Sequence, residues 1–190
     1  MKHLLSLNLF LICSFVLFGQ SKQNFAAIDA KSKSIGFLPL NELTKKLTAP
    51  YSDEMDKARA IYSWIAYHVG YDDAEFDKED PLRYDKRKFA NINSQAVFDS
   101  LWTIEHANFA LKNHRGICGE YAALFKVMCD LTSIKCVIVN GYGKWDEWIG
   151  KPYEENHSWN ALFLKGKWQL SDVTWGAGYW DEKKKKSVQH

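Results

Sequence analysis

The 190-residue chain is poor in the residues that make a protein fibrous, disordered or membrane-embedded. Glycine (11) and proline (4) are scarce and no residue type dominates, which excludes collagen-like and low-complexity classes. Four cysteines are too few for a disulfide scaffold of this length. Neither sign of charge is in excess: 25 Lys and Arg against 23 Asp and Glu give +2, without the basic footprint of a nucleic-acid binder. A mean hydropathy of −0.36 excludes a multi-span membrane protein. The phosphate-cradling GxxxxGK[ST] loop, GxGxxG, paired CxxC and HExxH are all missing. What is present is a chain 46% apolar and 15% aromatic, of a length that suits one globular domain.

The one long apolar run lies at the start. Met1-Lys2-His3 is a short basic opening, and Leu4 to Phe18 is almost unbroken in its hydrophobicity. That run is shorter than the roughly 20 residues a bilayer span needs, and it has the length of a signal-peptide core. Gly19 and Ser21 put small residues at −3 and −1 of a cut after Ser21, so residues 1–21 read as a leader and the mature chain starts near Lys22. An uncleaved anchor is the alternative. A lipid-modified Cys13 is a weaker one, because Ile12 is not small and the cysteine falls inside the run. Cleavage leaves no stable membrane span and three cysteines, Cys118, Cys129 and Cys136. An odd number outside the cytoplasm implies at least one free thiol, and Cys129 and Cys136 read either as a pair or as buried reduced residues.

Residues 22–52 are polar, broken by Pro39 and Pro50, and read as an extended N-terminal arm with room for one short helix. Ser52-Asp53 then offers a helix cap before Met55, Ala58, Ile61, Tyr62, Ile65 and Val69 at helical spacing. The stretch 71–93 is charged and irregular, a surface loop. Ser94 can cap a helix carrying Val97, Phe98 and Leu101, with a further helical piece from Ile104 to Lys112. Past the Gly116-Ile117-Cys118-Gly119 break, Tyr121, Leu124, Phe125, Met128 and Leu131 define one face of a strong amphipathic helix. The period then changes. Cys136 to Val139 reads as a buried strand ending at Gly141, 143–156 as a Trp-rich acidic loop, and His157–Leu164 and Lys167–Thr174 as strands turning at Lys165-Gly166. Helices first and antiparallel strands after argue an α+β domain over residues 53–180, followed by a basic tail at 181–190.

Cys118 falls at the first turn of that helix, where free backbone N–H groups stabilise a thiolate and can later hold an oxyanion. Gly116 and Gly119 would leave space for a substrate backbone. Cys118 reads equally well alone as a small buried residue beside a helix cap. A nucleophilic thiol needs a base, and the base an orienting group. If the Lys165-Gly166 turn is even-numbered, Trp159 faces Asp172, and His157 and Asp172 become diagonal neighbours on one face of the hairpin. An odd register sends Asp172 to the other face. The expected geometry is a thiol against one ring nitrogen of His157 and the Asp172 carboxylate against the other at roughly 2.6–3.2 Å. His68, His106 and His114 fit such a role less well. Zinc on Cys118, His157 and Asp172 is conceivable, but no metal-ligand spacing supports it, so no metal or cofactor is expected.

Three ordered segments carry a family resemblance: Arg115-Gly116-Ile117-Cys118-Gly119-Glu120-Tyr121-Ala122, His157-Ser158-Trp159-Asn160-Ala161, and Trp168 to Gly176 with Asp172-Val173-Thr174-Trp175 inside it. Together they resemble the transglutaminase-like superfamily, within it the kyphoscoliosis-peptidase-type branch, and Tyr62 to Ala66 with Tyr71-Asp72 resembles the helix and turn that open that domain. The resemblance implies a papain-like transglutaminase core, α+β, with N-terminal helices and the nucleophile helix packed on an antiparallel sheet. It implies Cys118 as nucleophile, His157 as general base then acid, and Asp172 as orienter of the ring. An amide would pass through a thioester resolved by water, as in a protease or deamidase, or by an amine, as in a transglutaminase. The Cys118 N–H is the expected oxyanion donor, and a second is not assigned.

Two function classes follow. One is an exported cysteine peptidase or acyltransferase acting on peptide or isopeptide amides of a protein or cell-envelope peptide, in the periplasm, at the cell surface or outside the cell. The other is an idle domain of the same family, serving as a binding or scaffolding module at the envelope. The intact trio favours the first. The second draws on the short C-terminus, since relatives of this type usually continue past the Asp-Val-Thr-Trp-Gly segment. The Lys183–Lys186 run then reads as a solvated tail, as a weak attraction to membrane or wall, or as the end of a truncated frame. Trp145, Trp148 and Trp180 can line a cleft or simply pack. N-terminal sequencing of protein from its native host is expected to begin close to Lys22, and a cytosolic protein beginning at Met1 would remove the export reading.

Overall fold

Leucine spacing decides the first correction. Leu40, Leu43 and Leu47 fall on one stripe of a helix that Pro39 opens, and the chain there is not an extended arm. A computed structural model describes residues 25–72, 89–143, 155–181 and 186–188. The expected leader, most of the two expected surface loops, Trp145, Trp148 and Lys183 to Lys185 lie outside the described residues. Two helices occupy the supposed arm, α1 (Phe25–Lys33) and α2 (Leu40–Thr48), and Leu43 and Leu47 are fully buried in the core. Asp29 ties α1 to the helix that follows α2 through a bidentate ion pair with Arg59 (2.7 and 2.6 Å) and a hydrogen bond from Ser63.

Helix α3 (Glu54–His68) starts where the sequence places it, with Asp53 accepting the Met55 N–H at 2.8 Å. Ala58, Ile61 and Ile65 are buried as the spacing requires, joined by Trp64, whose indole N–H donates to the Ile35 carbonyl at 2.7 Å. The two-residue strand β1 (Gly70–Tyr71) runs parallel to β2 (Arg115–Gly116). Between them α4 (Gln95–Asn113) is one continuous helix where two pieces were expected. Its buried face is Ala107 and Ala110, while Val97, Leu101 and Ile104 are exposed. Small residues let α4 approach the next helix closely, a packing logic that apolar spacing does not reveal. His114, in the left-handed region at φ 58°, ends α4 and turns the chain into β2.

Helix α5 (Cys118–Asp130) buries Tyr121, Leu124, Phe125 and Met128, but Leu131 lies beyond its end and is exposed. The main sheet is antiparallel in the order β3 (Cys136–Gly141), β4 (His157–Leu164), β5 (Lys167–Ser171). Lys165 (φ 52°) and Gly166 (φ 77°) are both left-handed, as a two-residue hairpin turn of matching twist demands. The register is therefore even, from Leu164 opposite Lys167 to Asn160 opposite Ser171. Pairing stops there, three residues short of the expected Thr174, and the chain enters a short helix α6 (Val173–Gly176). Helix α5 lies against β4, where the buried Asn160 amide donates to the Ala122 carbonyl at 3.0 Å.

Strands β6 (Tyr179–Asp181) and β7 (Lys186–Val188) pair antiparallel on either side of the lysine run, because Tyr179, Trp180 and Val188 are strand formers. Among the described residues no helix is long and apolar enough to cross a membrane. If α2 belongs to the core, Leu43→Ala should destabilise the protein by about 2–5 kcal/mol in urea unfolding. A loss under about 0.5 kcal/mol, the surface-substitution range, would contradict that placement.

Candidate active site

Three elements converge at one end of the main sheet: the N-terminus of α5, the start of β4 and the end of β5. Cys118 is the first residue of α5 and is 8% exposed. The segment leading to it is held on one side by β1, with the Gly70 N–H donating to the His114 carbonyl (2.9 Å) and the Asp72 N–H to the Gly116 carbonyl (3.1 Å). Gly116 does not make room for a substrate, as its position in the motif suggested. A Cβ there would come within 2.7 Å of the Glu120 Cβ, so glycine serves internal packing. Gly119 does border the cleft.

His157 opens β4 opposite Gly141 and is 7% exposed. The residue before it is pinned: the Asn156 N–H donates to the Gly141 carbonyl (2.9 Å) and its side-chain oxygen accepts the Gly143 N–H (2.8 Å). Trp159 lies beside the ring, with centroids 5.8 Å apart, and crosses Gly141, where a Cβ would meet the indole at 2.5 Å. Trp175 stacks on the ring at 5.3 Å with the planes 20° apart. One nitrogen, Nε2, meets Asp172 Oδ2 at 2.6 Å, and Cys118 lies close enough to the same imidazole to raise its pKa.

Asp172 divides its carboxylate. Oδ2 holds His157, and Oδ1 accepts the Trp175 N–H at 3.0 Å as the cap of α6. Its backbone carbonyl accepts the Tyr62 hydroxyl of α3 at 3.2 Å. Gly176 makes that approach possible, because a Cβ there would overlap the Tyr62 oxygen at 1.7 Å. The even register puts His157 and Asp172 on the same face. Departure from the ladder at Ser171 then frees Asp172 to cap a helix while facing the ring.

Burial works to lower the His157 pKa. Hydrogen bonds with Asp172 and Cys118, and the negative charge of both, outweigh it and raise the ring from 6.5 to about 9. Cys118 and His157 open onto a cleft of about 490 Å³ bordered also by Ile117, Gly119, Asn140, Glu155, Asn156 and Ser158. Among the described residues no group of three or more His, Cys, Asp or Glu is arranged to hold a metal ion. His68 stacks on Trp64 and His114 on Phe37, away from the thiol's role. Cys118, Cys129 and Cys136 are all free and buried. The hydrogen bond that the Cys129 thiol donates to the Cys136 sulfur, with burial, pushes the Cys129 thiol well above its ordinary range, which makes it inert.

Motif reading did not single out Tyr62, Glu120 or Trp175 as parts of the site. Trp175 was visible as the third residue after Asp172, and Glu120 as an acid three residues after the helix boundary, the spacing of a helix-capping box. Tyr62 had no such signal, since it acts across 110 residues of chain.

Known proteins share sequence with this chain. Residues 77–173 match the family model described as "Transglutaminase-like superfamily". The chain is 30% identical to mouse (Mus musculus) kyphoscoliosis peptidase over 161 residues, covering 83% of this chain and 21% of the relative. It is 32% identical to the human (Homo sapiens) kyphoscoliosis peptidase over 145 residues, covering 75% and 19%. The chain thus spans about a fifth of the length of these curated relatives. A solved structure titled "Crystal structure of a TGase" is similar at 17% identity and a TM-score of 0.45, over 85% of this chain and 35% of that one.

The charge balance at His157 gives a direct test. Its ring should titrate near pH 9 by histidine NMR, and Asp172→Asn should move the midpoint down. The folded value lies above the unfolded one, so the pair's stabilisation is complete below about pH 6.5 and lost as pH rises through about 9. A wild-type midpoint below about 7 would contradict the contacts described.

Proposed function

We propose that this chain, which belongs to the transglutaminase-like superfamily, is a cysteine enzyme that opens peptide or isopeptide amides through a thioester on Cys118. The observation that carries the reading is the unbroken order of contacts from the Cys118 sulfur to the His157 ring to the Asp172 carboxylate, at the mouth of an open cleft. A domain kept for binding alone has no use for a raised imidazole between a thiol and a carboxylate.

The chemistry follows from the proton inventory. With its pKa near 9, His157 carries its proton at neutral pH, so the acid needed by a leaving amine is already in place. Cys118 attacks the amide carbon as the thiolate whose proton is the one held by His157, the carbonyl oxygen takes the charge, and the Cys118 N–H at the start of α5 is the donor proposed to hold it. Collapse breaks the C–N bond, the amine leaves with the His157 proton, and the acyl group stays on sulfur. Water or an amine then attacks the thioester while His157 takes its proton back. Asp172 holds the ring in the orientation both transfers need. The substrate on this reading is a protein or peptide, and the leader-like start of the chain supports action outside the cytoplasm. Nothing in the chemistry calls for a metal or cofactor.

Cys118→Ala and His157→Ala should each abolish turnover of a peptide amide while leaving the circular dichroism spectrum unchanged. Asp172→Asn should lower the rate by roughly two to four decades, because the ring loses its fixed tautomer. Full turnover by Cys118→Ala would overturn the proposal.

A further inference from the structure

Helix α5 begins without the usual cover for its first N–H groups. Its cap position is Ile117, whose side chain has no oxygen to offer them, where Ser, Thr, Asp or Asn is preferred. The reciprocal half of a capping box is nevertheless present. Glu120 reaches back, and its Oε2 accepts the Ile117 N–H at 2.7 Å. The turn is thus held from behind, and the Cys118 and Gly119 N–H groups are left to a substrate oxygen.

Glu120 is not an ordinary surface cap. Glu54, in the first turn of α3, is exposed to water, whereas Glu120 is 1% exposed. A carboxylate that deep is costly unless its oxygens are engaged. Here Oε2 takes the Ile117 N–H and Oε1 lies 3.6 Å from His106 Nδ1 on α4. Gly116 leaves no space for a Cβ beside the Glu120 stem, and its own carbonyl is fixed by the Asp72 N–H. The Gly116–Ile117 peptide before the nucleophile is therefore clamped between the Asp72 N–H, just past β1, and a buried acid.

We propose that Glu120 is a positioning residue of the acyl-transfer centre: it fixes the Gly116–Ile117 peptide, and through it the direction in which the next peptide points the Cys118 N–H at the oxyanion. The inference rests on the thioester reading above. It separates two reactions of one thiol. Alkylation by iodoacetamide displaces iodide at a saturated carbon and forms no oxyanion. Acylation by p-nitrophenyl acetate forms a C–S bond through a tetrahedral oxyanion and releases p-nitrophenolate.

Both rates at Cys118 should be measured for the wild type and for Glu120→Ala, Glu120→Asp and Glu120→Gln, with thermal melting to confirm folding. Glu120→Ala should slow acylation by about tenfold or more relative to alkylation. Glu120→Asp, too short to reach the Ile117 N–H, should do the same and stands in if the alanine variant does not fold. Glu120→Gln keeps an acceptor oxygen and should restore the wild-type ratio. An unchanged ratio in a folded Glu120→Ala or Glu120→Asp variant overturns the positioning role. A wild type acylated no faster than Cys118→Ala instead overturns the thioester reading, and the positioning role with it.

Discussion

The hydrogen bond between His157 Nε2 and Asp172 Oδ2, at 2.6 Å, is the constraint from which the rest of the site follows. An imidazole that serves a thiol while its Nε2 is committed to a carboxylate must lie close to both. That arrangement requires the base at the first residue of β4, where its ring can reach the N-terminus of α5. It requires the acid just past the last pair of β5, where the chain is free to turn. The two-residue turn at Lys165-Gly166 sets the register that makes both conditions compatible. One residue of slip would send Asp172 to the opposite face and leave His157 without a partner.

Support for the acid comes from the part of the chain farthest from it in sequence. Tyr62 on α3 fixes the Asp172 carbonyl, and α3 is itself held by Asp29 on α1 and by the leucines of α2. The N-terminal helices therefore support the site as well as forming part of the hydrophobic core. On the other side, Trp175 covers the imidazole while its own N–H is bound by Asp172, so one carboxylate orients the ring and the aromatic plate above it. Trp175 remains 54% exposed, a surface cover over the buried His157 ring. Such cover lowers the local dielectric and strengthens the His157–Asp172 bond beyond its worth in water.

Much of this was legible in the residues. The cap at Asp53, the period change after Thr132-Ser133, the even hairpin and the meeting of His157 with Asp172 all depend on local rules of spacing and turn geometry. What escaped depends on distant contacts. Helix α1 is held by an ion pair, a hydrogen bond and the packing of α3 rather than by an apolar stripe of its own, so only α2, with its leucines, carries a local signal in the N-terminal segment. The buried face of α4 is built from Ala107 and Ala110, which carry little hydrophobic signal. Glu120 occupies the space beside Gly116 that the motif suggests for a substrate. Nothing local announces that Asp172 leaves the ladder to cap four residues, so β5 is shorter than its pattern suggests.

The central claim is that Cys118, His157 and Asp172 act as one unit to form a thioester, and mass-spectrometric mapping of the acylated protein tests it most directly. After brief exposure to p-nitrophenyl acetate and acid quench, the account predicts the acetyl group on Cys118 in the wild type, at much lower occupancy in His157→Ala and Asp172→Asn. An acetyl group on lysine alone, or equal occupancy of Cys118 in all three proteins, would contradict it.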